Sequence, residues 1–355
     1  MKKIFFLLLI CSALLVGCAQ ETLSLQQALK DWQSASETPE ENTEPNEPDA
    51  QVILRLTHSS EKDSMPDKAA EMFRERLESL SGGQIQVEIY PENTLGKLDQ
   101  ALSFGNGRVD LRLGITGAPY SNIVMWLPLL SDEPLQTVEN AYRADSAMRA
   151  MVEKNAEEQN TYILAVFPMQ YRVLASTVPV ESVADLSRLK MRIYGESGSN
   201  YLLWKNLCSQ TVPVEIGNVP LALQMGVIDG CDNTLANLRE YGIDQKITDI
   251  TDLSMTAYFD SLYIDKSVFD RLPEEQRRQV QQAAAYTEQA MREVNEHYVQ
   301  ELREQMQEQG VRFHTMPQQE REAIQSKVQP EIYDFFCQTY GQSVIDEFIA
   351  QVKVQ

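Results

Sequence analysis

Histidine and cysteine are scarce in this chain, which holds 3 of the first and 5 of the second in 355 residues. His58, His297 and His314 are far apart, so neither a zinc spacing nor a histidine with a neighbouring catalytic acid is visible. Cys11 and Cys18 fall in the first segment. Cys208, Cys231 and Cys337 are too widely spaced for a metal motif and leave open one disulfide or free thiols, the latter being the expectation. The glycine-rich turn GNGRVD at Gly105 to Asp110 lacks the third glycine and the following helix of a dinucleotide site, and no P-loop is present. GESGS at Gly195 to Ser199 lacks the spacing of a nucleophile elbow. Carboxylates are plentiful, but chance pairs are common in an acidic chain and none is assigned acid–base work. No enzyme, metal or cofactor is expected. Positive charge is also short: 31 Lys and Arg face 52 Asp and Glu, for a formal net charge of -21. That balance argues against nucleic acid or an anionic membrane face as partner. It leaves open an anionic small molecule, which a local cluster can hold.

Long apolar runs are missing except at the start, where MKKIFFLLLICSALLVGCAQ places two lysines before Ile4 to Val16. A run of about 13 residues is too short to span a bilayer, which takes about 20, and suits a secretory signal peptide. Its LVGC ending resembles the lipobox of bacterial lipoproteins. The resemblance implies cleavage before Cys18, a lipid on its sulfur and attachment to a membrane on the extracytoplasmic side. Residues 1–17 are thus expected to be signal peptide and 18–50 a lipid-anchored acidic linker. Ser34 to Ala50, SASETPEENTEPNEPDA, carries no aliphatic side chain larger than alanine and reads as a disordered stalk. LSLQQALKDW, just before it, has helical spacing.

From Gln51 onward the chain is long enough for two domains with real cores. VILRLT at Val52 to Thr57 alternates like a strand; Asp67 to Leu80 has helical spacing and stops at Gly82-Gly83; IQVEIY at Ile85 to Tyr90 is a second strand. A helix, a glycine-rich turn and a strand from Val109 to Leu113 follow. The alternation predicts an α/β domain with a largely parallel sheet. Strands are expected again at Tyr162 to Phe167, Val173 to Ser176, Met191 to Tyr194 and Val212 to Glu215. Helices are expected at Val183 to Leu189, Tyr201 to Cys208 and Val219 to Gly226. The tail reads as mainly helical, with one long helix from Pro273 to Gln309 and Gly310 as its stop. Such a helix, about 55 Å at 1.5 Å per residue, could bridge two domains. A coiled-coil dimer is the rival, although its stripe has too many alanines and glutamines for a regular heptad.

LSRLKMRIYG, at Leu186 to Gly195, raises a specific question, because Arg192 lies in an alternating strand pattern. Local pattern alone leaves it either a solvated strand arginine or a ligand contact. Three stretches in order bear on this: QYRVLAS with Arg172, LSRLKMRIYG with Arg192, and ALQMGVIDGCDNT with Asn233. LTHSS, SGGQIQVEIYPENTLG, GRVDL and DKSVFDRLPEEQRRQV accompany them. Together they resemble the extracytoplasmic solute receptors of tripartite ATP-independent periplasmic (TRAP) transporters, the dicarboxylate-binding DctP type. The similarity runs from Val52 to the C-terminus. It implies a periplasmic-binding-protein-like α/β fold of two domains with a hinge and a long helix spanning both. The domains would be 51–170 plus about 259–298, and 171–258 plus about 299–355. It also implies a small organic acid as ligand and TRAP permease subunits in the membrane as partners.

By that resemblance Arg192 pairs with the substrate carboxylate, Arg172 is a second arginine of the pocket, and Asn233 contacts the ligand. His58, Thr116 and Tyr258 are candidate wall residues. The chain departs from the family pattern at Cys231-Asp232-Asn233-Thr234, where Gln-Glu-Asn-Pro is usual, around Pro220, and in GITGAPY at Gly114 to Tyr120, which lacks an acidic residue. A receptor that presents an acid to a signalling partner is the alternative within the same resemblance. A lipid-anchored hydrolase is the alternative outside it.

Overall fold

The computed structural model describes residues 52–92, 94–95, 107–115, 119–131, 133 and 135–353. The signal peptide, Cys18, the acidic linker and Thr116 lie outside the described residues. The helix expected after Tyr90 also falls largely outside them.

Apolar alternation produces the first strands. β1 (Val52–Thr57) and β2 (Ile85–Tyr90) run parallel and flank α1 (Met65–Ser81) in the chain. Ser64 caps α1 by accepting from the Asp67 N–H, Pro66 suits its first turn, and Gly82 closes it at φ 58°. β3 (Leu111–Gly114) joins the other edge of β1, a shift of two residues from the expected start. Three helices follow, α2 (Pro119–Ser131), α3 (Leu135–Ala141) and α4 (Ala147–Glu158). The chain then enters β4 (Thr161–Tyr171) and, after Arg172 alone, β5 (Val173–Ser176) in a second sheet.

That second sheet collects β6 (Lys190–Ile193), β7 (Gln210–Pro213) and β8 (Gly230–Asn233). The short helices α5 (Val183–Leu186), α6 (Gly198–Leu207), α7 (Val219–Gln224) and α8 (Leu235–Glu240) connect or follow these strands. β9 (Asp249–Asp252) belongs to the second sheet, and β10 (Ala257–Asp265) returns to the first. The strand orders are β2-β1-β3-β10-β4 and β11-β9-β5-β8-β6-β7, where β11 is Arg312–Thr315.

The expected largely parallel sheets are mixed instead. β10 runs antiparallel to β3 and β4, and β5 runs antiparallel to β8 and β9. The physical reason is the crossing: β4 leaves the first sheet as β5 through one residue, and β9 returns as β10 through four, so the outgoing and returning strands lie side by side in opposite directions in both sheets. The tail is mainly helical, as expected, and β9, β10 and β11 interrupt it beyond residue 248.

After α9 (Lys266–Arg271), α10 (Glu274–Glu308) runs 35 residues, about 52 Å. Pro273 precedes it, and Gly310 follows at φ 92°. Its early half buries Val280, Ala284 and Met291 with α1 and the first sheet; Leu302 and Met306 join the core under the second sheet. The alanine-rich stripe is therefore satisfied within the chain. α11 (Gln318–Tyr340) and α12 (Gln342–Lys353) pack Ile332, Phe336, Ile345 and Phe348 against α2 and α6.

Candidate functional site

Where the two sheets exchange strands, charged side chains collect. Arg172 is the one residue between β4 and β5, and its N–H donates to the Thr256 carbonyl (3.3 Å) just ahead of β10. The two crossing segments are thus tied together at Arg172. Its side chain turns to β8: Nε donates to Asp232 Oδ2 (2.7 Å) and Nη2 to the Asp232 carbonyl (2.6 Å). Asn200, from α6, donates Nδ2 to both Asp232 oxygens at 3.2 Å. Asp232 is 4% exposed. Burial pushes its carboxyl up, but Arg172 and Asn200 outweigh that and hold it below the usual carboxylate range. The Arg172 guanidinium is held above its ordinary value, because Asp232 outweighs the desolvation that lowers it.

β8 lies close against β5. A Cβ on Gly230 would meet the Ala175 carbonyl oxygen at 2.9 Å, so only glycine fits there. The residue sets the strand that carries Asp232 and Asn233. Asn233 Oδ1 accepts from the Thr234 N–H (3.0 Å) and from Asn237 Nδ2 (2.9 Å), ordering the start of α8, whose cap is Thr234.

Arg192 behaves differently. It lies on β6 beside β7, and the residue is 5% exposed. Its Nε donates to the Val214 carbonyl (2.9 Å), and its guanidinium carbon stands 5.8 Å from the centroid of the Tyr194 ring. Burial lowers its pKa; Asp232 and Glu215 pull the other way. Among the described residues no carboxylate forms an ion pair with it, since Asp232 is taken by Arg172 and Asn200. Tyr194 beside it is 60% exposed, a large aromatic surface left open next to a buried cation.

The remaining candidates are spread around this centre. His58, at the end of β1, is buried with Nε2 3.0 Å from Asp67 Oδ1; burial lowers its pKa against the opposing effect of Asp67. Asp67 also accepts from the Asp63 N–H (2.8 Å), so His58 takes part in shaping the β1–α1 loop. Tyr258, on β10, is half-buried and lines a pocket of about 210 Å³ between that loop and α8. Burial and then Asp260 raise its pKa, and Arg172 acts in the opposite sense. The fold thus brings Arg192 on β6 and Asn233 on β8 into adjoining strands of one sheet, with Arg172 just ahead of β5, the other neighbour of β8, and Tyr258 on the first sheet within electrostatic reach of Arg172. His58 stands apart in its own buried pair. Sequence reasoning missed Asp232, Asn200, Tyr194 and Asp260. Asp232 and Asn200 fall inside or next to quoted motifs, but nothing in the sequence marked either as a partner of Arg172. The described cysteines Cys208, Cys231 and Cys337 are free, and burial pushes the Cys231 thiol up to about 12.

The geometry offers one internally neutralised arginine and one arginine with spare donors, and no nucleophile–base set among the described residues. Residues 56–339 match the family of bacterial extracellular solute-binding proteins, family 7 (DctP). A solute-binding protein of Roseobacter denitrificans is 30% identical over 249 residues, covering 66% of this chain and 73% of that protein. A TRAP periplasmic solute-binding protein from Ochrobactrum anthropi superimposes with a TM-score of 0.75 at 23% identity, covering 86% of this chain and 95% of that one. Another from Roseobacter denitrificans, with bound L-galactonate, gives 0.64 at 24% identity, covering 84% and 99%.

Proposed function

This chain belongs to the bacterial extracellular solute-binding proteins of family 7, receptors and not enzymes, and on that premise we propose how it binds its solute and where it delivers it. The ligand is a small organic acid, and Arg192 is its carboxylate clamp. The observation that carries this is the state of Arg192: buried, bonded through Nε alone, and without a carboxylate among the described residues. A guanidinium presents a planar fork that meets a carboxylate in two parallel hydrogen bonds. With Nε on Val214, the terminal nitrogens remain for that fork. Arg172 acts as a positioning residue, keeping Asp232 neutralised so that it does not compete for Arg192. Tyr194 supplies an apolar face for the body of the acid, and Asn233 orders the strand end beside it. The bound L-galactonate of the Roseobacter structure is a carboxylate of the same class.

The two sheets are the cores of two domains, close to 51–170 plus 259–298 and 171–258 plus 299–355, with the hinge at Arg172 and at the segment before β10. Acid bound between them favours a closed form, because only that form contacts it from both sides. The closed receptor then docks on the membrane subunits of a TRAP transporter, on the extracytoplasmic side. Lipid on Cys18 tethers it there; a Cys18→Ser chain recovered in the membrane fraction as fully as the wild type would refute the tether.

Removing one partner of a buried charged pair costs about 2 to 5 kcal/mol, or about 30-fold to several-thousand-fold in affinity. In a thermal-shift screen of organic acids, at least one acid raises Tm of the wild type and leaves Arg192→Ala unmoved. No shift with any acid, or an equal shift in the variant, would overturn the assignment.

A further inference from the structure

Among the described residues, Asp260 is a buried acid with no hydrogen-bond or ion-pair partner. Asp260 lies on β10 in the same row as Leu262 and Ile264, which pack into the core beneath the first sheet. It is 4% exposed, and among the described residues no donor or cation bonds to its carboxylate. It nonetheless lines the 210 Å³ pocket that Tyr258 shares. A carboxylate in an apolar row is unfavourable unless something pairs with it. Unpaired buried acids that open into a pocket mark functional sites more often than structural ones.

The groups around it do not supply the partner. From the β1–α1 loop the pocket receives Glu61, Lys62 and Asp63; the acids there outnumber the one lysine. From α8 it receives Glu240 and Arg239, whose Nε lies 2.7 Å from Asp244 Oδ2 and whose Nη1 donates to Gln305 Oε1 (3.1 Å), with no bond to Asp260. Tyr298 reaches it from α10. Burial, with no nearby charge to offset it, raises the Asp260 carboxyl to about 7. The pocket is therefore rich in acceptors, whereas the neighbouring strands carry the two arginines. Asn237 joins the regions: it lines the pocket and donates to Asn233 on the arginine side. Tyr258 lines the pocket too and lies within electrostatic reach of Arg172.

We propose that Asp260 sets the ligand class, accepting a hydrogen bond from a hydroxyl or ammonium group of the acid, away from the carboxylate held by Arg192. In its ionised form the same residue repels a second carboxylate, so unsubstituted dicarboxylates are poor ligands above neutral pH, the range in which the titration is run. This inference rests on the reading of Arg192 as the clamp. Hydroxyl and ammonium donors satisfy the same acceptor, and separate probes distinguish them.

The test is calorimetric titration of the wild type with three panels. These are hydroxylated monocarboxylates including L-galactonate, amino monocarboxylates including 4-aminobutanoate, and dicarboxylates including succinate. The best donor-bearing acid is expected to bind at least about tenfold tighter than any dicarboxylate, and its panel identifies the donor. Asp260→Asn keeps the shape, removes the charge and narrows that gap at least about fivefold; Asp260→Glu keeps the discrimination. Dicarboxylates that bind the wild type as tightly, or a gap that Asp260→Asn leaves intact, would overturn the role of Asp260 while the clamp stands. Acid binding that survives Arg192→Ala removes the premise, and the inference with it.

Discussion

Arg172 and Asp260 are opposite cases of a charge beneath the surface, and they make opposite predictions. Arg172→Ala strands the Asp232 carboxylate in the interior, which costs about 3 to 5 kcal/mol, read as a lower urea midpoint. The Asp232 pKa is depressed in the folded chain. Its stabilisation is therefore present above the unfolded aspartate value of about 3.9 and is lost as pH falls through the folded one. The Arg172→Ala chain should accordingly show a shallower loss of Tm below about pH 4 than the wild type. Asp260 has the reverse sign, because its folded value is raised to about 7. Its neutral form suits the interior, so stability is present at low pH and is lost as pH rises toward that value. Between about pH 4 and pH 7 the wild type should lose on the order of 4 kcal/mol relative to Asp260→Asn. Melting curves of the unliganded proteins from below about pH 4 up to about pH 7 check both; parallel curves for Asp260→Asn and wild type between about pH 4 and pH 7 would contradict the second.

Strand β8 is the element on which the site depends. Gly230 admits β5 at a distance that no Cβ allows, and Asp232 and Asn233 follow it on the same strand. Gly230→Ala must displace backbone, a change that costs about 1 to 3 kcal/mol. A parallel loss of acid affinity is expected, because the displaced strand carries the partner of Arg172. Equal stability and affinity in the variant, by denaturant titration and calorimetry, would show that the close approach is not needed. β6 was legible in the sequence because its side chains alternate. β8, GCDN, has no alternating run and was not expected as a strand, and neither was β10. In AYFDSLYID both faces are covered, so the alternation that marks a half-buried strand is missing. β9 and β11 are short and charged, and become strands only through pairing with each other and with β5. Long α10 was legible almost to the residue, since Pro273 and Gly310 punctuate a stripe that continues for ten turns.

At the scale of the whole molecule the arrangement follows from two direct crossings and one long helix. The crossings at Arg172 and ahead of β10 are bonded to each other, and α10 lies against both sheets. Ordered motifs along the chain led to Arg192 on β6, Asn233 on the adjoining β8, and Arg172 just ahead of β5, which pairs with β8. They could not lead to Asp232 as the partner of Arg172 or to Asp260 as an unpaired acid. With 52 acidic residues in the chain, a single aspartate carries no local signal until folding buries it. The central claim is that Arg192 holds the carboxylate of a small acid. Its most direct test is native mass spectrometry of the protein purified from its own cells without added ligand. The account predicts an adduct of one small organic acid per chain, absent from Arg192→Ala prepared in the same way. A bound species without a carboxylate, or an acid retained equally by the variant, would contradict it.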